Sequence, residues 1–286
     1  MIDVAINVYG KPYHTLVSLL SLLKHSGKWI DKIYVQFENK LPHGDEVEWI
    51  KKYLPDNTIY STPKFYFGYR TSMDKLGNDD YRLSVRYQYA WENSDKDFLF
   101  TLHNDMLFKG DIIGEMLERI KDKAAIGSIG QCWNCPANNV CKSFETFKPT
   151  YEEAIKIVKE NPASKDRTTV ELIDKVNPMP LPECRVNEWA CLINLKKLKN
   201  EVIPIGDTPP FGCTRLHFDT GVDWFRSLYL KKYEFVNWDG EKDGFFTHAP
   251  FTICGGNSLD GNKIIYKKAE SVAREYFKGV FLNGNK

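Results

Sequence analysis

The chain of 286 residues carries 39 Lys and Arg against 38 Asp and Glu, a formal net charge of +1. That balance supplies no basic surface for a general nucleic-acid binder, whose affinity depends on neutralising phosphates. Hydrophobic residues at 42% and charged residues at 27% are globular values and exclude a disordered chain.

The length accommodates one large α/β domain or two modest ones, with a well-buried core. No apolar run approaches the roughly 18 residues needed to span a bilayer, and the longest, Leu16 to Leu23, is broken by Ser18 and Ser21. The opening Met1-Ile2-Asp3-Val4 lacks a basic n-region and enters strand pattern at once, so no signal peptide is expected. Seven cysteines, an odd number, argue against a complete disulfide framework. A cytoplasmic protein is the resulting expectation.

In chain order, Ile2, Val4, Ile6 and Val8 alternate as one strand face, ended by Gly10-Lys11-Pro12. Leu16, Leu19, Leu20 and Leu23 then mark the apolar stripe of a helix that Gly27 terminates. The pattern next predicts a strand over 33–37, a helix over 45–53 and a short strand over 58–61. A helix over 81–93 leads into the apolar strand Phe98-Leu99-Phe100-Thr101-Leu102. Asp111 is placed to cap a helix bearing Ile112, Ile113, Met116, Leu117 and Ile120, and Ala124 to Ile129 reads as a further strand.

Strands alternating with helices predict a mostly parallel sheet covered on both faces. Residues 132–187 are less regular, with a helix pattern at Tyr151 to Glu160 and Pro178, Pro180 and Pro182 close together. They read as an insertion in a single domain over 1–286. Strand then helix resume over 188–198, a helix comes next over 221–233, Gly255-Gly256-Asn257 signals a turn, and a last helix covers 267–277.

Ligands of such sheets bind beyond the carboxyl ends of the strands, which directs attention to Tyr9-Gly10, Glu38-Asn39 and His103-Asn104-Asp105. Neither GxGxxG nor GxxxxGK[ST] follows the first strand, which disfavours dinucleotide-binding and P-loop chemistry. The strongest signal is the buried strand that ends in His103-Asn104-Asp105. A carboxylate at that edge can hold Mg²⁺ or Mn²⁺ against a diphosphate, because these hard cations take oxygen ligands and leave positions open for phosphate. The bland reading of the same triplet is a turn begun by Asp105 and a core histidine.

In these segments the chain resembles a nucleotide-sugar glycosyltransferase of the GT-A fold, of the broad family 2 kind. Arg86-Tyr87-Gln88-Tyr89-Ala90 leads through Asp97-Phe98-Leu99 to His103-Asn104-Asp105 at close to the spacing of that family's helix and D-x-D strand. His103 stands where the first Asp of D-x-D is expected. Ala5-Ile6-Asn7-Val8-Tyr9-Gly10 is similar to the family's first strand, and Val35-Gln36-Phe37-Glu38 to its second. Asp219-Thr220-Gly221-Val222-Asp223-Trp224-Phe225-Arg226 resembles its E-D-x-D…R segment, with Phe218 where the Glu would be. Phe246-Thr247-His248-Ala249-Pro250 is similar to a late histidine motif.

The resemblance implies an α/β, GT-A-like Rossmann-type fold and transfer of a hexosyl or deoxyhexosyl group from a nucleotide-diphosphate sugar to a glycan hydroxyl, with inversion. It implies that Glu38 contacts the base, that Asp105 with His248 or His103 holds Mn²⁺ or Mg²⁺, and that Asp219, or Asp223, is the base. Tyr9 is a candidate to stack on the base, Asn104 to bind the nucleotide, and Arg86, or Lys64 and Arg70, to bind phosphates or the acceptor. Trp189 and Trp224 are candidate sugar platforms and equally candidate core residues. The rival readings are a sugar nucleotidyltransferase and a non-catalytic carbohydrate-binding or scaffold protein of the same fold.

Cys132-x2-Cys135-x5-Cys141 is a separate signal. A C-x2-C pair brings two thiolates within reach of one tetrahedral Zn²⁺; Cys141 is a third candidate ligand and Cys184, beside the prolines, a fourth. Buried thiols or disulfides are the alternatives.

Overall fold

The alternating apolar residues at the start form β1 (Ile2–Val8), and the leucine stripe after it forms α1 (Pro12–Ser26). The chain continues through β2 (Ile30–Phe37), β3 (Thr58–Ser61), α2 (Asp79–Arg82), α3 (Gln88–Asn93), β4 (Phe98–Leu102) and β5 (Met106–Phe108). Then come α4 (Ile112–Ile120), β6 (Ala125–Ile129), α5 (Tyr151–Glu160), β7 (Val186–Asn194) and α6 (Leu195–Leu198). The last elements are α7 (Val222–Leu230), β8 (Phe235–Asn237), β9 (Phe246–His248) and α8 (Lys263–Phe277). The structure is a computed structural model and describes residues 1–67, 70–130, 135–161, 170–215, 218–251 and 261–283. The turn expected at 255–257 lies outside the described residues.

Seven strands form one sheet in the order β3-β2-β1-β4-β7-β6-β8. β1 runs parallel to β2 and β4, and β2 to β3, whereas β7 is antiparallel to both β4 and β6. The parallel pairs need long crossovers, which α1, the 38–57 segment and the 62–97 region supply. β5 and β9 pair separately, antiparallel, with Met106 opposite His248.

Successive strand residues point to opposite faces, and the core divides accordingly. Val4, Ile6, Phe100 and Leu102 join Leu19, Met116 and Phe277 in one apolar layer. Ala5, Leu99, Cys191 and Ile193 join Trp91, Trp224 and Phe225 in the other. Ala137, Phe144, Ala154, Val158 and Leu181, from the irregular region, pack into this second layer. Among the described residues no helix is long and apolar enough to cross a membrane.

Two expectations need correction, and one open alternative is resolved. The helix expected over 81–93 is two short helices, because Tyr87 adopts φ 65 and donates its N–H to Asn7 Oδ1, while Gln36 Nε2 takes the carbonyls of Leu83 and Ser84. Side chains from β1 and β2 thus claim the backbone groups a continuous helix would use. The segment 45–53 is a 3₁₀ helix over Glu48–Tyr53 only; it ends where Leu54 turns extended ahead of Pro55, as residues before proline tend to do. Trp224 is 1% exposed and packed edge-on against Trp91 and Phe211, so it is core and not a sugar platform.

Asp111 caps α4 as expected, accepting the Gly114 N–H, and also takes the Ser26 hydroxyl and the Trp29 indole N–H. Partial burial pushes its carboxyl up, but those donors and Lys28 outweigh burial and bring it down to about 2. A folded-state value below the unfolded one adds stability above the ordinary carboxylate range, lost as pH falls toward 2. Asp111→Ala is expected to cost about 1–2 kcal/mol at neutral pH, and chemical denaturation at pH 7 and pH 3 checks that the difference shrinks in acid.

Candidate active site

The carboxyl ends of β1, β2 and β4 share one edge of the sheet, and β7, running the opposite way, brings its first residues to that edge. The ladder pairs Leu102 with Ala190, and the His103 N–H continues it by donating to the Trp189 carbonyl. Arg185, Glu188 and Trp189 therefore stand beside the triplet that follows β4. These elements enclose a cavity of about 220 Å³ lined by Tyr9, Lys11, Glu38, Arg86, His103, Asp105, Arg185, Glu188, Asp219 and His248 among others.

The chain leaves β1 through Gly10 and Lys11, both left-handed. A Cβ at Gly10 would stand 2.6 Å from Pro42 Cγ and from Tyr266 Oη, so only glycine fits this turn. The Gly10 carbonyl accepts from Asn104 Nδ2 at 3.1 Å, and the Lys11 N–H donates to Tyr266 Oη at 2.6 Å. This turn carries Lys11 Nζ to 2.9 Å from Asp105 Oδ2.

His248 arrives by a different route. Pairing of β5 with β9 sets it opposite Met106, and the Ala249 N–H donates to the Asp105 carbonyl at 2.7 Å. Ser18 and Ser21, the polar residues inside the leucine stripe of α1, hold β5 in place: their hydroxyls accept the N–H groups of Met106 and Phe108. His248 Nε2 lies 3.5 Å and His103 Nδ1 3.8 Å from Asp105 Oδ1, and Trp189 packs on the His248 ring at 4.8 Å. Ligand atoms of His103, Asp105 and His248 all fall within 4.8 Å of one another, a group able to hold a metal ion among the described residues.

Asp105 Oδ1 is buried without a hydrogen bond, while Oδ2 is taken by Lys11. Burial pushes the Asp105 carboxyl up, but the Lys11 ammonium, His248 and His103 outweigh it and hold the group well below the ordinary carboxylate range. Its charge is thus fixed, with one oxygen left for a further cation. This donor set fits a divalent metal: one carboxylate oxygen without a partner, flanked by two imidazoles.

Glu188 accepts from His103 Nε2 at 3.0 Å and pairs with Arg185 Nη1 at 3.0 Å. Burial acts to raise it; Arg185 first, then His103, bring it down to about 2. Arg185, 1% exposed, also reaches Asp219 Oδ2 at 3.2 Å and donates to the Thr220 carbonyl. At the other end of the cavity, Glu38 and Arg86 lie 3.8 Å apart and Tyr9 faces Tyr66 at 5.9 Å between ring centres.

Of the residues expected from the sequence, Tyr9, Glu38, Arg86, His103, Asn104, Asp105, Asp219 and His248 line this one cavity. Asp223 does not; it sits in the first turn of α7 in a two-pronged pair with Arg215, at 2.6 and 3.2 Å. Lys64 pairs with Asp80 on the surface. Lys11 and Arg185 were not singled out by sequence reasoning. Cys135, Cys141 and Cys184 line a second, smaller cavity of about 60 Å³, with Phe144 and Met179; Cys132 lies outside the described residues.

No protein-family model matches the chain, and no curated protein matches it. Solved structures similar to it include a mannosyltransferase from Pyrobaculum calidifontis in complex with GDP-Man and Mn²⁺, at 9% identity over 83% of this chain and 54% of that one, TM-score 0.46. A galactosyltransferase, LgtC, in complex with donor and acceptor sugar analogues matches at 15% identity over 70% and 60%, TM-score 0.37. A 4-diphosphocytidyl-2C-methyl-D-erythritol synthase from Anaerococcus prevotii matches at 10% identity over 70% and 72%, TM-score 0.35. The chain spans just over half to three fifths of the length of the first two. The mostly parallel sheet with flanking helices is the Rossmann-type α/β architecture that the sequence led one to expect.

Proposed function

We propose that this chain is a glycosyltransferase, moving a sugar from a nucleoside-diphosphate sugar to a hydroxyl of a glycan acceptor with inversion. It does so in the cytoplasm, as a single domain over 1–286 that carries 132–187 as an insertion. The observation that most supports this reading is Asp105 Oδ1, buried without a hydrogen bond and flanked by His248 and His103 at 3.5 and 3.8 Å, in the cavity that also holds Lys11, Glu38 and Asp219.

Asp105, His103 and His248 would hold a divalent cation, whose chemistry is to neutralise charge on a departing diphosphate. Two nitrogen donors in three suit Mn²⁺ better than Mg²⁺, which prefers an all-oxygen octahedron. Lys11 adds a fixed positive charge beside the same carboxylate, and its neighbour Asn104 pins the β1 turn that carries it. Arg86 stands toward the base end, where it serves a phosphate or the base. Asp219 takes the proton of the acceptor hydroxyl, oriented by Arg185. Trp189, packed on His248, fixes that imidazole and walls the cavity against water.

The test is release of nucleoside diphosphate from a panel of nucleotide sugars, with Mn²⁺, with Mg²⁺ and with chelator. Release that requires metal, faster with Mn²⁺, is the expected result. Nucleotide binding with no turnover over any acceptor would make this a binding protein. Pyrophosphate release from a nucleoside triphosphate and a sugar 1-phosphate would make it a nucleotidyltransferase.

We propose further that Cys135, Cys141 and Cys184 bind a structural Zn²⁺ together with Cys132. The support is the sequence spacing; Cys135, Cys141 and Cys184 line one cavity, but their sulfurs do not close into a metal-sized group among the described residues, so the metal would have to draw them together. A structural zinc contributes directly to folding. Protein purified without chelator is expected to contain about one zinc per chain by elemental analysis, and Cys184→Ser to lose it with a lowered melting temperature. A zinc-free protein of unchanged stability would remove the site.

A further inference from the structure

Glu38 follows β2, its backbone N–H pinned to the Val8 carbonyl at 3.0 Å. Its side chain is 1% exposed and lines the cavity, yet neither carboxylate oxygen has a hydrogen-bond partner. The nearest cation, Arg86 Nε, is 3.8 Å from Oε1, beyond hydrogen-bond distance. Leaving a charged acceptor buried and unpaired is costly, more so than for a neutral group. Asn7, which lines the same cavity, is occupied elsewhere: its Nδ2 donates to Gln36 Oε1, and its Oδ1 accepts the Tyr87 N–H. Tyr9 and Tyr66 stand beside it as aromatic surface.

Two adjacent acceptors on one rigid fork call for two adjacent donors on the ligand. Among the nucleobases, guanine alone offers them, as N1–H beside the exocyclic N2–H₂, in the side-by-side geometry that a carboxylate accepts. Uracil presents one N–H between two carbonyl oxygens, so pairing with it leaves one Glu38 oxygen against an oxygen. Adenine and cytosine each place an amino group beside a ring nitrogen that is itself an acceptor, with the same conflict. Resting on the donor-site reading, we infer that Glu38 selects guanine, so that the donor is a GDP-sugar, with Tyr9 against the base.

Arg86 bears on the same point. Burial pushes the Glu38 carboxyl up and Arg86 offsets only part of that rise, so a ligand whose two N–H donors meet both oxygens would favour the ionised, acceptor-only form by binding.

The experiment is calorimetric titration of the full chain, in Mn²⁺, with GDP, IDP, XDP, UDP, CDP and ADP. GDP is expected to bind tightest. IDP lacks only the 2-amino group and should bind about 10- to 100-fold more weakly, the scale of one hydrogen bond to a charged acceptor. In Glu38→Gln the amide N–H can donate to the 2-oxo group of xanthine while its oxygen accepts N1–H. The variant should therefore lose affinity for GDP and gain it for XDP, an exchange that a merely structural residue would not produce. IDP equal to GDP, or UDP, CDP or ADP as tight as GDP, in the wild-type chain overturns the guanine assignment and leaves the donor-site reading standing. Binding of no nucleoside diphosphate at all overturns that reading itself.

Discussion

Asp105→Asn is expected to weaken Mn²⁺-dependent binding of a nucleoside diphosphate by at least about 100-fold. Loss of residues that merely orient metal ligands costs roughly 10- to 100-fold in affinity, and Asp105 is proposed as the ligand itself. Asparagine keeps the size of the side chain but removes the charge that Lys11, His103 and His248 all face. His248→Ala removes a proposed ligand and the ring on which Trp189 packs, and should likewise cost about 100-fold. The two variants separate ligation from folding, because Asp105→Asn also leaves Lys11, only 13% exposed, without its partner. Melting temperatures without metal report that second effect; Mn²⁺ titration of the folded fraction reports the first. Unchanged metal-dependent nucleotide affinity in both variants would take the metal away from this cluster.

The parts of this site that were legible in the sequence are those built on regular, fully buried elements. β1, β2 and β4 announce themselves as apolar runs, and the residues just after each run lie by topology at the ligand edge, so Tyr9, Glu38 and Asp105 could be named in advance. Lys11 could not, because its approach to Asp105 depends on two successive left-handed residues and a cap from Tyr266, 255 positions away. Arg185 was hidden for another reason: only an antiparallel β7 brings the start of a strand to the edge where parallel strands end. β5, β8 and β9 have three residues each, too few to show a period. Ser18 and Ser21 looked like breaks in an apolar helix, yet they are the anchors of β5, and through β5 they place His248. Irregular backbone served by distant side chains leaves no local pattern to read.

Asp219→Asn is expected to lower turnover by about 100-fold or more while leaving donor affinity nearly unchanged, the scale for losing a general base. Asp219 lies before α7, its Oδ1 accepting the Thr220 N–H, and keeps 39% of its side chain exposed toward the cavity. It can therefore meet an acceptor entering from solvent. Its Oδ2 contact with Arg185 at 3.2 Å orients it. Asp223 shares neither property: it is 7% exposed and both its oxygens are held by Arg215. Asp223→Asn should thus act mainly on stability, by leaving Arg215 unpaired, with kcat affected far less than in Asp219→Asn. Glu188 is the remaining carboxylate in reach, but it is 4% exposed in its side chain and held by His103 and Arg185 at about 2. A group so acidic and so enclosed is a weak proton acceptor at neutral pH, since Brønsted behaviour favours a base nearer the working pH. Donor affinity and single-turnover rates in Asp219→Asn, Asp223→Asn and Glu188→Gln decide among the three. Full activity in Asp219→Asn with collapse in Glu188→Gln would move the base to β7 and require the acceptor to enter beside His103.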